Sequence, residues 1–423
     1  MFKFIHAADI HLDSPLLRLE QYGGAPADAL CGATRRAFEN LVRLAINQHV
    51  DFMLISGDLY DGDWKDYNTG LYFVSQMSKL REAEIPVFII AGNHDAESRM
   101  TKTLRLPENV SFFSADRPET KHIDKLGVAV HGQSFPTRAV KKDMSAAYPS
   151  ALPGYFNIGM LHTCAQGREG HEPYAPCTVE SLRSKDYDYW ALGHVHQSER
   201  LCEEPMILFP GNIQGRHIRE SGPKGCMIVT VADKGQADAD FHALDVIRWK
   251  KLRIDAKDCT DRHEVIERIC EQLESLTEQN EGLPVIARME VFAGAGVHSE
   301  LAGDMAQWTN EIRATAIDSG GDRLWVEKVR VRKSPEILTT PADWETSKGA
   351  MGELLCFFDE IRSDPAQLKS LAEPLNELWK KLPSPLREGQ DALALNDAEW
   401  LTNVLDEVQS LLIRRLTSKG DIR

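Results

Sequence analysis

The stretch DFMLISGDLYD, residues 51–61, carries the reading of the fold. Phe52 to Ser56 read as a short buried strand, and Gly57 ends it. Two carboxylates, Asp58 and Asp61, follow at once. The same arrangement recurs along the chain. Phe2 to Ala8 is a first strand, followed by Asp9-Ile10-His11. Pro86 to Ala91 is a third, followed by Gly92-Asn93-His94-Asp95. A strand over 155–161 leads to His162, and one over 187–192 leads to Gly193-His194-Val195-His196. On extended backbone, residues i and i+2 point to one side, so His194 and His196 face the same spot. Between the first strands, apolar residues at 38, 41, 42 and 45 mark a helix over 35–48, and another helix is expected over about 69–83. This opening is that of an α/β domain. Strands also recur at 126–131, 206–209 and 225–231, so mixed sheets are expected.

Ligand-type residues at the carboxyl ends of successive strands lie where α/β sheets build their sites. A glycine before three of them, Gly57, Gly92 and Gly193, lets the chain turn as it leaves the sheet. Any one of these motifs is weak, but five in order, each after a strand, are not a chance pattern. Carboxylate, imidazole and amide oxygen without thiolate suit Mn²⁺, Fe²⁺ or Zn²⁺. One carboxylate can bridge two ions about 3.5–4 Å apart, the spacing of two-metal phosphoryl-transfer sites. A histidine beside a ligand can serve the leaving group.

D-x-H, G-D-x-x-D, G-N-H-D, a lone histidine and G-H-x-H resemble the motif set of the calcineurin-like metallophosphoesterases. The segments HAADIHLDSP (6–15) and FPGNIQGRHIRE (209–220) are more narrowly similar to the SbcD-like, YhaO-type bacterial DNA repair exonucleases. Carried over by position, the resemblance implies that Asp9, His11, Asp58 and His196 hold one metal. It implies that Asp58 (bridging), Asn93, His162 and His194 hold the other, with His94 serving the leaving group. It implies a two-sheet sandwich flanked by helices, a small α/β capping domain, and C-terminal helices that carry an SMC-like ATPase. In one place the chain departs from these relatives: Asp61 stands where SbcD-like proteins usually have a histidine that helps to position phosphate. An ionised carboxylate cannot donate in that way. From their positions alone, Asp61 and Asp95 read as supporting or capping residues. Arg216 and His217 are left open between a structural turn and a phosphate contact.

The 423 residues exceed one ordinary core. The expected divisions are 1–245 (catalytic), 246–337 (small α/β) and 338–423 (helical). In the second, strands at 248–254, 285–291 and 324–332 alternate with helices at about 262–277 and 299–316. The strip Lys328-Val329-Arg330-Val331-Arg332 puts its cations on one face, a solvated strand edge or, with Lys250 and Lys251, a track for DNA phosphates. In the third, Leu354, Phe357, Phe358 and Ile361 form one apolar face. Leu368, Leu371, Leu375, Leu378 and Leu382 form a second, expected to pack inside the tail. Trp400 to Leu412 form a third, while Pro374 argues against a continuous coiled coil. The net charge of −15 speaks against diffuse nucleic-acid binding. The eight cysteines form no C-x-x-C pair, the start carries no apolar leader, and no run is long enough to span a membrane; a cytoplasmic protein is expected. The expected function is Mn²⁺-dependent exonucleolytic hydrolysis of DNA, with Fe²⁺ or Zn²⁺ as alternative metals. The expected partners are DNA and an SMC-like ATPase, with a homodimer left open. The alternatives are the same chemistry on a small phosphodiester or phosphomonoester, and a scaffold subunit with a vestigial site.

Overall fold

A computed structural model describes residues 1–14, 32–61, 67–96, 105–165, 174–233, 235–280, 282–334, 350–375, 400–402, 404–406, 408–409 and 412. The chain divides into two units, Met1–Ser334 and Pro335–Arg423. The first opens with β1 (Phe2–Ala7), α1 (Ala33–Asn47), β2 (Phe52–Ser56), α2 (Tyr67–Glu82) and β3 (Val87–Ile90). It continues with β4 (Val110–Phe112), β5 (Glu119–Ile123), β6 (Val128–Gly132), β7 (Phe156–His162), α3 (Val179–Arg183) and β8 (Tyr189–Gly193). Then come β9 (Glu199–Cys202), β10 (Met206–Phe209), β11 (Gly225–Val231) and β12 (Ala237–Ala243).

These strands form two six-stranded sheets, ordered β12-β11-β1-β2-β3-β4 and β5-β6-β7-β8-β10-β9. Phe4, Phe52, Leu54 and Phe88 of the first sheet face Val130, Ile158, Met160 and Tyr189 of the second in one buried layer. The alternate residues of β2, Met53 and Ile55, pack on the other side with Phe38, Leu41 and Val42 of α1 and Phe73 of α2. Apolar residues on both faces of a strand are what a sheet covered on both sides needs. Trp190 and Leu192 on the outer face of the second sheet are covered by Leu182 of α3 and by Phe135 and Tyr148. The result is a two-sheet α/β sandwich flanked by helices. Because β1, β2 and β3 are parallel, as are β7 and β8, each set ends together at one edge. The two sets meet there: Ser56 donates its hydroxyl to the Ala191 carbonyl at 3.0 Å, and His6 hydrogen-bonds Tyr189 Oη at 3.0 Å.

The third sheet is parallel throughout: β13 (Arg248–Ala256), β14 (Val285–Ala293) and β15 (Leu324–Lys333). It is joined by α4 (Arg262–Gln279), α5 (Ala295–Gly303) and α6 (Met305–Gly320). The single helix expected over 299–316 is two helices, because Asp304 accepts from the Gln307 N–H and starts a new one. Ile254, Met289, Val291 and Val329 pack beneath Val265, Ile269 and Trp308 of the helices. Trp249 and Ile286, on the opposite face, pack with Ile218 and with Ala33 of α1.

Further along that opposite face, Lys251 registers with Arg288 and Arg288 with Lys328; Arg253 registers with Glu290 and Glu290 with Arg330. Lys250 registers with Ala287, which belongs to the helix-covered core, so it does not join the strip as expected; Arg253 does. The Arg253 guanidinium lies over the Phe292 ring at 4.2 Å, and Arg330 pairs with Glu290 at 3.8 Å.

In the second unit, α7 (Ala350–Ser363) and α8 (Pro365–Ala372) bring Phe358, Ile361 and Leu368 into one cluster with Leu401 and Leu405. Of the leucine series, Leu368 packs inside as expected, but Leu371 is 51% exposed and Leu375 42%. The helix ends at Ala372, two residues before Pro374, so the spacing ceases to describe one helical face. Leu378, Leu382 and Leu411 lie outside the described residues. No described helix is long and apolar enough to cross a membrane. The described cysteines carry no disulfide.

Candidate metal centre

The segments that leave β1, β2, β3, β7 and β8 converge at one edge of the sandwich. Backbone hydrogen bonds tie them together: Asp9 N–H to the Gly57 carbonyl at 3.0 Å, His11 N–H to the Asp58 carbonyl at 2.9 Å, and Thr163 N–H to the Gly193 carbonyl at 3.0 Å. Gly57 turns with φ +93°, as a glycine before the cluster should. At Gly193 the reason is different. A Cβ there would lie 1.9 Å from the Ser56 carbonyl oxygen, so glycine is what lets the two sheets close at the site. Asp9, His11, Asp58 and His194 all have positive φ, at 51°, 45°, 52° and 104°. Such backbone is costly for residues with a Cβ, on the order of 1–3 kcal/mol each, and gathers at functional sites.

All the expected ligand residues are brought together. His11 Nε2 lies 3.3 Å from His196 Nε2 and 3.8 Å from Asp58 Oδ2. His196 Nε2 is 3.8 Å from Asp9 Oδ1. On the other side, His162 Nε2 is 2.9 Å from Asn93 Oδ1 and 3.5 Å from Asp58 Oδ2. Asp58 Oδ2 therefore faces both groups. The His194 ring centroid is 5.2 Å from that of His162, and its backbone N–H donates to Asp9 at 3.0 Å. Among the described residues, three overlapping sets meet the spacing of metal ligands: Asp9, His11 and His196; Asp9, Asp58 and His162; and His11, Asp58 and His94.

The donor atoms suit a hard or borderline cation. His162 Nδ1 donates to the Ser56 carbonyl at 3.0 Å. In the neutral ring Nε2 is then a lone pair, and it faces the oxygens of Asn93 and Asp58. Three acceptors turned on one another need a positive charge between them. His196 repeats the pattern, with Nδ1 held by Glu220 Oε1 at 2.7 Å and Nε2 turned inward. His11 Nδ1 is buried and hydrogen-bonds nothing among the described residues. The electrostatics agree. Burial lowers the His162 pKa, yet Asp58 and Asp9 outweigh it and raise it to about 9, so the pocket favours positive charge beside these oxygens. Burial lifts the Asp58 pKa, but the His162, His11 and His94 rings hold its carboxyl well below the usual range. Asp9 is raised, by burial first.

His94 stands at the rim. Its Nδ1 is 2.7 Å from Asp61 Oδ1, and its backbone N–H donates to Asp58 Oδ1 at 2.9 Å. Burial lowers its pKa, but the Asp61 hydrogen bond and the Asp58 and Asp61 charges outweigh that, so it lies above the ordinary value. Asp61 in turn accepts from Ser14 Oγ at 2.6 Å, and these bonds hold its carboxyl far below the usual range against the effect of burial. Asp95 caps the loops, accepting from the N–H groups of Leu59, Tyr60 and Gly92. Burial, then the Asp58 charge, raise its pKa to about 7.

Residues 2–198 match the family model of the calcineurin-like phosphoesterases, and residues 249–334 match that of the middle domain of metallophosphoesterase YhaO. The chain is 36% identical over 293 residues to the uncharacterized metallophosphoesterase YhaO of Bacillus subtilis, covering 68% of this chain and 70% of that protein. The chain belongs to the calcineurin-like metallophosphoesterases. It is also 30% identical over 169 residues to the DNA double-strand break repair protein Mre11 of Sulfurisphaera tokodaii, covering 38% of this chain and 42% of that one. To the Mre11 of Thermoplasma acidophilum it is 23% identical over 362 residues, covering 79% and 84%. As a metallophosphoesterase the chain is a phosphoester hydrolase that uses divalent metal.

Sequence reasoning missed three residues of this metallophosphoesterase site. Glu220 orients His196; Lys224 donates to the His196 carbonyl at 2.6 Å; and Trp249 donates its indole N–H to the Gly215 carbonyl at 3.0 Å. Glu220 lay inside the segment that carried the resemblance, four residues after Arg216, and an i,i+4 acid–base pair was the available signal. Nothing local marked Lys224 or Trp249.

Proposed function

We propose that the chain is a two-metal phosphodiesterase that cleaves DNA exonucleolytically, with Mn²⁺ as the working ion and an SMC-like ATPase as its partner. The convergence of carboxylate, amide and imidazole acceptors on Asp58, with His94 held by Asp61 beside them, carries the reading. Asp9, His11, Asp58 and His196 would hold one ion, and Asp58, Asn93, His162 and His194 the other. Ions bound there supply Lewis acidity toward the phosphoryl oxygens and activate the attacking water. Glu220 and the Ser56 carbonyl fix the tautomers of His196 and His162 so that each presents a lone pair. Asp61 holds the His94 ring by Nδ1 and favours its protonated form, in which Nε2–H is available to the departing oxygen.

The choice of DNA is supported by the likeness to the Mre11 proteins and by the basic face of the third sheet. That face bears Lys251, Arg253, Lys328, Arg330 and Arg332 on a chain of net charge −15. The deciding assay compares labelled duplex and single-stranded DNA with a small chromogenic phosphodiester, in Mn²⁺, Mg²⁺ and chelator. Cleavage of DNA ends in Mn²⁺, abolished by chelator, is expected; cleavage of the small ester alone would remove DNA as substrate.

The basic face has its own test. Replacing Lys328, Arg330 and Arg332 together by Gln should weaken duplex binding and flatten its dependence on log salt by about 0.9 for each phosphate left without a cation. The ratio of DNA cleavage to small-diester cleavage should fall with it. An unchanged salt slope would make the strip a solvated strand face.

A further inference from the structure

We infer that Arg216 is a substrate-binding residue, whose guanidinium takes a non-bridging oxygen of the substrate phosphate beside His94. The assignment rests on the proposed phosphodiesterase site. One side of the Arg216 fork is held: Nη2 donates to Glu220 Oε1 at 3.0 Å, and Nε lies 3.5 Å from Glu220 Oε2. The other side points to the rim. Nη1 lies 3.5 Å from Ser14 Oγ, the outer limit of a hydrogen bond, and 3.7 Å from Asp61 Oδ2, beyond it. Asp61 already receives Ser14 on that oxygen and His94 on the other, so Arg216 Nη1 keeps donor capacity toward an acceptor arriving there.

The charge argument points the same way. Arg216 Nη2 lies 3.3 Å from the ring of His196, a candidate ligand. A guanidinium has no lone pair to give a metal. Glu220 already offsets the inner edge of the guanidinium, while on the outer edge Asp61 stands beyond hydrogen-bond distance, so a phosphate arriving between Nη1 and the cation centre adds an anion where the arginine is least compensated. Its planar fork can hold Glu220 with one edge and phosphate with the other.

The turn is built to hold this position. The Arg216 N–H and Asn212 Nδ2 both donate to Glu220 Oε2, at 2.7 and 2.9 Å. A Cβ on Gly215 would lie 2.7 Å from the Glu220 carbonyl oxygen and 3.0 Å from the Trp249 ring. The first strand of the third sheet thus braces the turn that presents the arginine.

The test is calorimetric titration of inorganic phosphate into Mn²⁺-loaded protein, beside titration of Mn²⁺ into the metal-free protein. Arg216→Gln should weaken phosphate binding on the order of 10–100-fold and leave Mn²⁺ affinity within about 3-fold. Arg216→Lys keeps a cation against Glu220 and guards against loss of fold; a lysine cannot serve both edges, so phosphate should still weaken several-fold. Phosphate affinity unchanged in either variant overturns the assignment. So does a loss of Mn²⁺ affinity that matches the loss of phosphate, which would make Arg216 a support of His196 alone. A wild-type protein that takes up no divalent ion overturns the site reading, and this assignment with it.

Discussion

Asp58→Asn is expected to lose metal and hydrolysis together. Asp58 Oδ2 faces His11 on one side and His162 on the other, and Oδ1 accepts from the His94 backbone. Asn keeps the volume but removes the charge that two cations would share, and half of its end group is a donor. Metal content by atomic spectroscopy after loading should fall from two ions per chain to one or none. Turnover should fall by about 10³-fold or more, since electrostatic stabilisation of the transition state is commonly the largest part of such catalysis. A variant that keeps two ions and full turnover would sink the bridging role. The variant should still fold, because the facing His11 and His162 rings can release their protons once the carboxylate is gone and so leave no uncompensated buried charge.

His94→Ala is expected to keep its metals and lose turnover on the order of 10²–10⁴-fold, the contribution of a general acid. The test discriminates because His94 also lies within ligand spacing of His11 and Asp58. Loss of an ion in this variant would make His94 a ligand and end its role as an acid. The pH profile gives a second readout. An acid works in its protonated form, which is populated below its pKa. The His94 pKa is raised by Asp61 and Asp58 against burial, so the wild-type rate should hold below that raised value and fall as pH rises through it. Asp61→Asn removes the partner that does the raising, so the falling limb should move to lower pH. A limb that stays in place would show that Asp61 does not govern His94.

Much of this was legible in the chain. The run from Phe52 to Ile55 is apolar on both of its faces, and only a strand covered on both sides accepts that. The strand ends could be read because each apolar run stops at a residue whose chemistry is unsuited to burial, such as Asp9, Asp58 and His162. The candidate ligands could be named because metal chemistry restricts residue type and because strand ends restrict place. What could not be read depends on residues far apart in the chain. Glu220 meets His196 across 24 positions, and Lys3, Thr230 and Asp51 meet only once the sheet forms.

What the sequence by itself determined is the layered α/β architecture, the edge at which the site lies and the kinds of atom that line it. All three follow from local periodicity and side-chain chemistry. Only the tertiary structure decided which partner each of those atoms has. It paired Asp61 with His94, making an expected support the group that sets a histidine's charge. It made Gly193 a point of contact between sheets rather than a turn, and it took Lys250 off the basic face that Arg253 joins. The reason is physical. Periodicity states which way a side chain points relative to its own strand, whereas pKa, register and close approach are set by what stands opposite, and in this fold that is nearly always another segment of the chain.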